Sequence, residues 1–170
     1  ASDAFGVFSD GIRGLDLTTL ETIDLDPAVS LSTKNSALRG GDGVTPGSIS
    51  VTGSGTSVID LGIAESVGDI VDLINARTSA TGVSASLNGA QNGLLLTRAG
   101  GGLIVVDEVN GGRTASQLGV YTGSGGAASP LTGSDINPII TKDTLLGDLY
   151  GGAGIGTSGI AITNATADST

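Results

Sequence analysis

Between residues 48 and 120 the apolar positions change period several times, and each change marks an element. In SISVTG (48–53) Ile49 and Val51 alternate with Ser48, Ser50 and Thr52, the two-residue period of a strand with one buried face. TSVIDLG (56–62) follows as a second strand across a Gly-Ser-Gly turn. The period then lengthens. Val67, Ile70, Val71 and Ile74 stand at i, i+3, i+4 and i+7, one apolar stripe on a helix predicted over 66–77. Asp69, Asp72 and Arg77 fall off that stripe. Ser66 with Asp69 three residues on predicts a capping box, and Gly82 is a stop signal. The stripe is expected to pack on one face of a sheet.

The two-residue period then returns. Val83, Ala85 and Leu87 alternate with Ser84, Ser86 and Asn88. Turns at Gly89–Gly93 and at 100–102 set off GLLLTR (93–98) and LIVVDE (103–108) as two more strands. LLL and LIVV are apolar on both faces, so one of these strands is expected at the centre of the sheet. TASQLGV (114–120) reads as a helical turn capping the sheet edge. The order is β-β-α-β-β-β with short connections, which favours antiparallel neighbours. With one helix to cover one face, this is an α+β module built on a mostly antiparallel sheet. Residues 121–135 are rich in Gly and Ser and read as a connector.

The chain also resembles itself. LETIDLDPAVSLSTKNSALRGGDGVTPGSISVT (20–52) aligns without a gap on LTGSDINPIITKDTLLGDLYGGAGIGTSGIAIT (131–163), at an offset of 111 residues from Leu20 to Leu131. Asp24, Pro27, Thr33, Leu38 and Ile49 fall on Asp135, Pro138, Thr144, Leu149 and Ile160. Gly40-Gly41 falls on Gly151-Gly152, and Gly43 on Gly154. AFGVFSDG (4–11) is similar to QLGVYTGSG (117–125). Recurrence at one fixed spacing predicts a modular array, and a spacing of roughly 110 residues lets each unit hold its own core. On this reading residues 1–11 are the tail of one unit, 12–122 a complete unit, and 123–170 a connector with the opening of the next. Gly159–Thr163 is then expected as a strand that pairs with a neighbour.

Composition narrows the chemistry. Only 2 Tyr and 2 Phe accompany 30 Gly, and Trp and Met are absent, so the core is built from Val, Ile, Leu and Ala. The net charge is −10 with 7 Lys and Arg. Nucleic-acid binding requires clustered cations to neutralise phosphate, and none cluster here. Anionic membranes are disfavoured for the same reason, and no apolar run approaches the roughly 20 residues of a membrane span. Absence of Cys and His removes disulfides, thiolate chemistry, the usual zinc sites and histidine acid–base catalysis.

Two acidic groups invite a calcium reading: Asp24, Asp26 and Asp42, and Asp107, Glu108 and Asn110. Neither has the ordered ligand spacing of a calcium loop. Asp26 and its counterpart Asn137 each precede Pro, where a turn cap is the simpler role. No metal is expected to be needed for folding. Scattered carboxylates with almost no aromatics to stack on sugar rings argue against a glycosidase. The glycines at 40–43 and 151–154 resemble phosphate-cradling loops but lack the following Lys-Ser/Thr, so positive-φ turns are expected there. Asn164-Ala165-Thr166 is a sequon, a pattern common by chance. No catalytic, cofactor-binding or metal site, and no small-molecule substrate, is expected.

From Ser66 onward, SVGDIVDLIN and GVSASLNGAQNGLLLTRAGGGLIVVDE resemble the flagellin hook IN motif of bacterial flagellins and of hook-associated and cap proteins. The helix ends on Ile74-Asn75-Ala76. The Gly-Val-x-Ala-Ser strand runs from Gly82 to Ser86, the Gly-Leu-x-Leu-Thr strand from Gly93 to Thr97, and the closing Thr-Ala-x-x-Leu-Gly segment from Thr114 to Gly119. The resemblance covers about 33–120. It implies an extracellular structural component of the bacterial flagellum, surface-exposed and central within a flagellin or hook-associated protein, with other flagellar subunits as partners and no enzyme activity. The long terminal helices with which such proteins polymerise have no counterpart among these residues. A repetitive extracellular adhesin or spacer module is the alternative.

Overall fold

The structure is a computed structural model, and it describes residues 26–140, 144–149 and 151–154. The strand expected at 159–163, the sequon and the unit tail at 1–11 lie outside the described residues, as does Asp24.

Among the described residues seven strands and three α-helices follow in order: β1 (Ser48–Thr52), β2 (Thr56–Asp60), α1 (Val67–Asn75), α2 (Thr78–Thr81), β3 (Val83–Leu87), β4 (Leu94–Arg98), β5 (Leu103–Glu108), α3 (Thr114–Gln117), β6 (Ala127–Ala128) and β7 (Leu131–Thr132). The strands form two sheets rather than one. The first has the order β2-β1-β5-β6, the second β3-β4-β7, and every pairing is antiparallel. The fold is α+β. Among the described residues α1 is the helix with an apolar stripe, α3 is the helical turn expected within 114–120, and α2 is a further four-residue turn that the pattern did not place.

Alternation appears where the pattern placed it. Ile49 and Val51, Val83 and Ala85, Leu94 and Leu96, and Ile104 and Val106 are all buried. These side chains join Val67, Ile70, Val71 and Ile74 of α1 in one apolar cluster shared by both sheets. β4 and β5 are both interior strands, each in its own sheet, so the two most apolar strands need two sheets to surround them.

Segment 121–135, read as a connector, carries β6 and β7. β6 pairs with β5 in the first sheet, and β7 pairs with β4 in the second. Only Ser129 and Pro130, joined by a cis peptide, separate them. The segment therefore stitches the sheets together. Its strands are two residues long, too short to show an alternating period. α3 holds the lead-in to β1: Thr45 N–H donates to Gln117 Oε1 (2.9 Å), and Thr114 Oγ1 donates to the Thr45 carbonyl (3.1 Å).

Candidate functional site

The end of α1 is the most specific local arrangement. Asn75 follows the buried Ile74 and turns its carboxamide onto β3. Its Nδ2 donates to the Ala85 carbonyl (3.0 Å), and its Oδ1 accepts from the Ala85 N–H (2.7 Å). One amide thus does for Ala85 what a neighbouring strand would do. The next turn continues the work on Val83. Thr78 Oγ1 donates to the Val83 carbonyl (2.9 Å), and Thr81 Oγ1 accepts from its N–H (3.1 Å). β3 is an edge strand, and an edge with open backbone groups is a template for unwanted pairing. Here α1 and α2 occupy that edge. In the sequence Asn75 stands inside a motif triplet that carries no mark of this role, and Thr78 and Thr81 fall in no pattern. The available signal was polar residues at a helix end close ahead of a strand.

The start of α1 is held as firmly. Ser66 Oγ accepts from the Asp69 N–H (3.3 Å), and Asp69 Oδ2 accepts from the Ser66 N–H (2.9 Å), a complete capping box. Asp69 Oδ2 also accepts from the Glu65 N–H (3.0 Å) and the Ser66 hydroxyl (2.9 Å). These bonds, led by that from Glu65, hold the Asp69 carboxyl below its ordinary value of 3.8 because each favours the charged form.

Of the acidic residues weighed as calcium ligands, Asp107 and Glu108 bond their side chains to backbone and hydroxyl groups nearby. Glu108 Oε1 accepts from the Ser116 N–H (2.8 Å) and hydroxyl (3.0 Å), steadying α3. Asp107 Oδ1 accepts from the Glu108 N–H (2.9 Å), and Asn110 sits in a left-handed turn at φ 54°. The backbones of Asp26 and Asp42 are held in turns: the Asp26 carbonyl accepts from the Gly151 N–H (2.7 Å), and the Asp42 N–H donates to the Arg39 carbonyl (3.3 Å). Among the described residues no three His, Cys, Asp or Glu side chains converge on a metal-sized site. Gly40, Gly41 and Gly43, and Gly151, Gly152 and Gly154, all have positive φ, as expected of turns. The described residues form open clefts. One of about 450 Å³ lies between Pro27 and Pro138, and one of about 290 Å³ is lined by Arg39, Arg113, Ser116 and Gln117.

The outer surface differs from edge to edge. Among the described residues no strand pairs with the free side of β2, and Val58 on β2 and Ile63 just beyond it are exposed. Among the described residues no helix is long and apolar enough to cross a membrane.

Residues 48–100 match the family model of the flagellin hook IN motif. Over this segment the chain is similar to that motif. The matched stretch runs from β1 through β4 and contains α1, its capping box and the Asn75 latch. Within the matched segment Ile74 and Asn75 divide the labour: Ile74 is fully buried under the helix, while Asn75 closes the sheet edge. No curated protein and no solved structure matches the chain.

Proposed function

We propose that this chain is a structural part of the bacterial flagellum, a surface-exposed central portion of a flagellin or hook-associated protein. The observation that carries the reading is the hook IN motif at 48–100, folded as a sheet-and-helix unit whose specific side chains are spent on internal bonding. The role is mechanical. Units of this kind, delimited as 12–122 with flanking pieces at 1–11 and 123–170, project from an assembled tube, set its surface and contact other flagellar subunits outside the cell. The chemistry of the chain supports a role without catalysis: its polar groups cap helices and strand edges.

Antibodies raised against this chain test the reading by electron microscopy on the bacterium that encodes it. Gold along filaments, hooks or their junctions is the expected result. Label spread over the cell body and absent from flagella would reject the flagellar assignment in favour of an adhesin.

A further inference from the structure

The two similar segments that open the repeat, 26–43 and 137–154, meet in the structure, and they meet as equals. Gly40 N–H donates to the Asn137 carbonyl (2.8 Å), and Gly151 N–H donates to the Asp26 carbonyl (2.7 Å). At the 111-residue offset Gly40 corresponds to Gly151 and Asp26 to Asn137, so the two bonds are one bond made twice. Ile139 N–H donates to the Ala37 carbonyl (2.7 Å), and its counterpart is Ala28 N–H to the Asp148 carbonyl. A Cβ at Gly41 would lie 3.2 Å from Ile139 Cδ1, and one at Gly152 would lie 3.6 Å from Ala28 Cβ, again a corresponding pair. When residue i of one copy meets residue j of the other and the reverse also holds, the copies are related by a local twofold.

Their internal conformations agree as well. Asn35–Ala37 and Leu146–Asp148 are matching 3-10 turns. The residues before them, Lys34 and Leu145, have φ/ψ of −71°/142° and −75°/145°. Gly43 N–H closes on Leu38 (2.9 Å), and Gly154 N–H closes on Leu149 (2.8 Å).

The copies differ in what covers them. The first lies on the body of its own unit. Val29 N–H donates to the Gln91 carbonyl, Asn35 N–H to Glu65, and the Val67 and Gly68 N–H groups to Thr33 and Leu31. Val29 is consequently 1% exposed and Asn35 4%. At the corresponding positions of the second copy, Ile140 is 44% exposed and Leu146 59%, with Leu145 beside it at 67%. The 3-10 turn and the closing Gly-to-Leu bond are present in both copies, and in the second Ile140, Leu145 and Leu146 are exposed.

We propose that the flank of the second opening formed by Ile140, Leu145 and Leu146 is a docking surface for a second copy of the 44–136 body. That body would sit about the local twofold as the first sits on Val29 and Asn35. Three observations select this occupant: the matched backbone bonds, the matched turns, and the burial of Val29 where Ile140 is bare. Leu146 in place of Asn35 replaces a side-chain bond to Ala64 (2.9 Å) with apolar contact, and the backbone bond of that position is independent of the side chain. The inference rests on this geometry and not on the flagellar assignment.

The test joins a second body, residues 44–136, directly after Gly154 and follows amide hydrogen exchange at Ile140. In the 170-residue chain this amide is expected to exchange quickly. In the extended chain it should slow by at least about tenfold, approaching Val29, since a bonded and buried amide exchanges only on opening. Ile140→Asp should abolish that protection in the extended chain and leave the melting temperature of the 170-residue chain unchanged, where the residue is exposed. The proposal is overturned if the added body fails to fold. It is equally overturned if the body folds while Ile140 exchanges as fast as before, or if Ile140→Asp leaves the protection intact.

Discussion

Asn75 and Asp69 stand at opposite ends of α1, and each does its work with one side-chain group. Asn75 offers a donor and an acceptor to the two backbone groups of Ala85. Removing it leaves both short of partners in a partly buried place, where an unmade hydrogen bond is costlier than a made one is stabilising. Asn75→Ala should lower unfolding stability by about 1–3 kcal/mol, read by urea denaturation. Asn75→Asp, which keeps an acceptor but loses the donor to the Ala85 carbonyl, should also be destabilising. Asp69 makes stability depend on pH. Its folded-state pKa lies below 3.8, shifted down by hydrogen bonds from Glu65 and Ser66. A group with a depressed folded pKa stabilises fully above its unfolded value, and the stabilisation disappears as pH falls through the folded value. The melting temperature of the protein should therefore fall as pH drops below 3.8, with a part of that fall missing in Asp69→Asn. Equal acid sensitivity of the two proteins would count against the capping role. Asn75 was visible in the sequence as part of a triplet, but its partner ten residues onward was not, because a side-chain amide bonding to an edge strand leaves no periodic trace.

At the scale of elements, α1 is where pattern and structure agree most closely. Val67, Ile70, Val71 and Ile74 are all buried, and the Ser66–Asp69 box forms as expected. Both signals act within one or two helical turns, so neighbours in sequence are neighbours in space. Ile70 is fully buried in the cluster shared by both sheets. Ile70→Ala should cost about 2–5 kcal/mol through lost transfer energy and a residual cavity. Chemical denaturation measures it, and a loss below 1 kcal/mol would mean the helix is only loosely seated. Gly82 does adopt the left-handed conformation expected of a stop, at φ 71°, but it closes α2 rather than α1. The stop signal specifies a local backbone turn; how many turns precede it depends on Thr78 and Thr81 bonding to β3. The strands were legible one by one from their alternation. Their division into two sheets was not, because an alternating strand has one buried face whether the layer opposite is a helix or another sheet.

For the molecule as a whole, the decisive segment is the one with the least pattern. β6 and β7 cross from one sheet to the other within six residues, and the chain then buries Ile136 and Leu149. Deleting 131–170 removes β7 from β4 and uncovers these contacts, so it should lower the melting temperature by several degrees, on the scale of about 2–4 °C per kcal/mol for a chain of this length. An unchanged melting curve would show that the second opening contributes nothing to the first unit. The local twofold carries a further consequence. Both copies spend the same backbone groups on each other, so a pairing of this kind is complete with two openings.

What the sequence by itself determined is the set of features encoded at short range. These are the period of each strand, the stripe and cap of α1, the positive-φ glycine turns, and the self-resemblance at 111 residues. Each depends on residues a few positions apart, or on direct comparison of letters. What only the tertiary structure decided is the choice among distant partners: two sheets in place of one, the stitch at 127–132, the amide of Asn75 on Ala85, and the meeting of two opening segments as mates. The physical reason is that hydrophobic alternation states which face of a strand must be buried and leaves open what buries it. That choice is settled by competition among all long-range pairings at once, and by backbone hydrogen bonds that are nearly indifferent to side-chain identity.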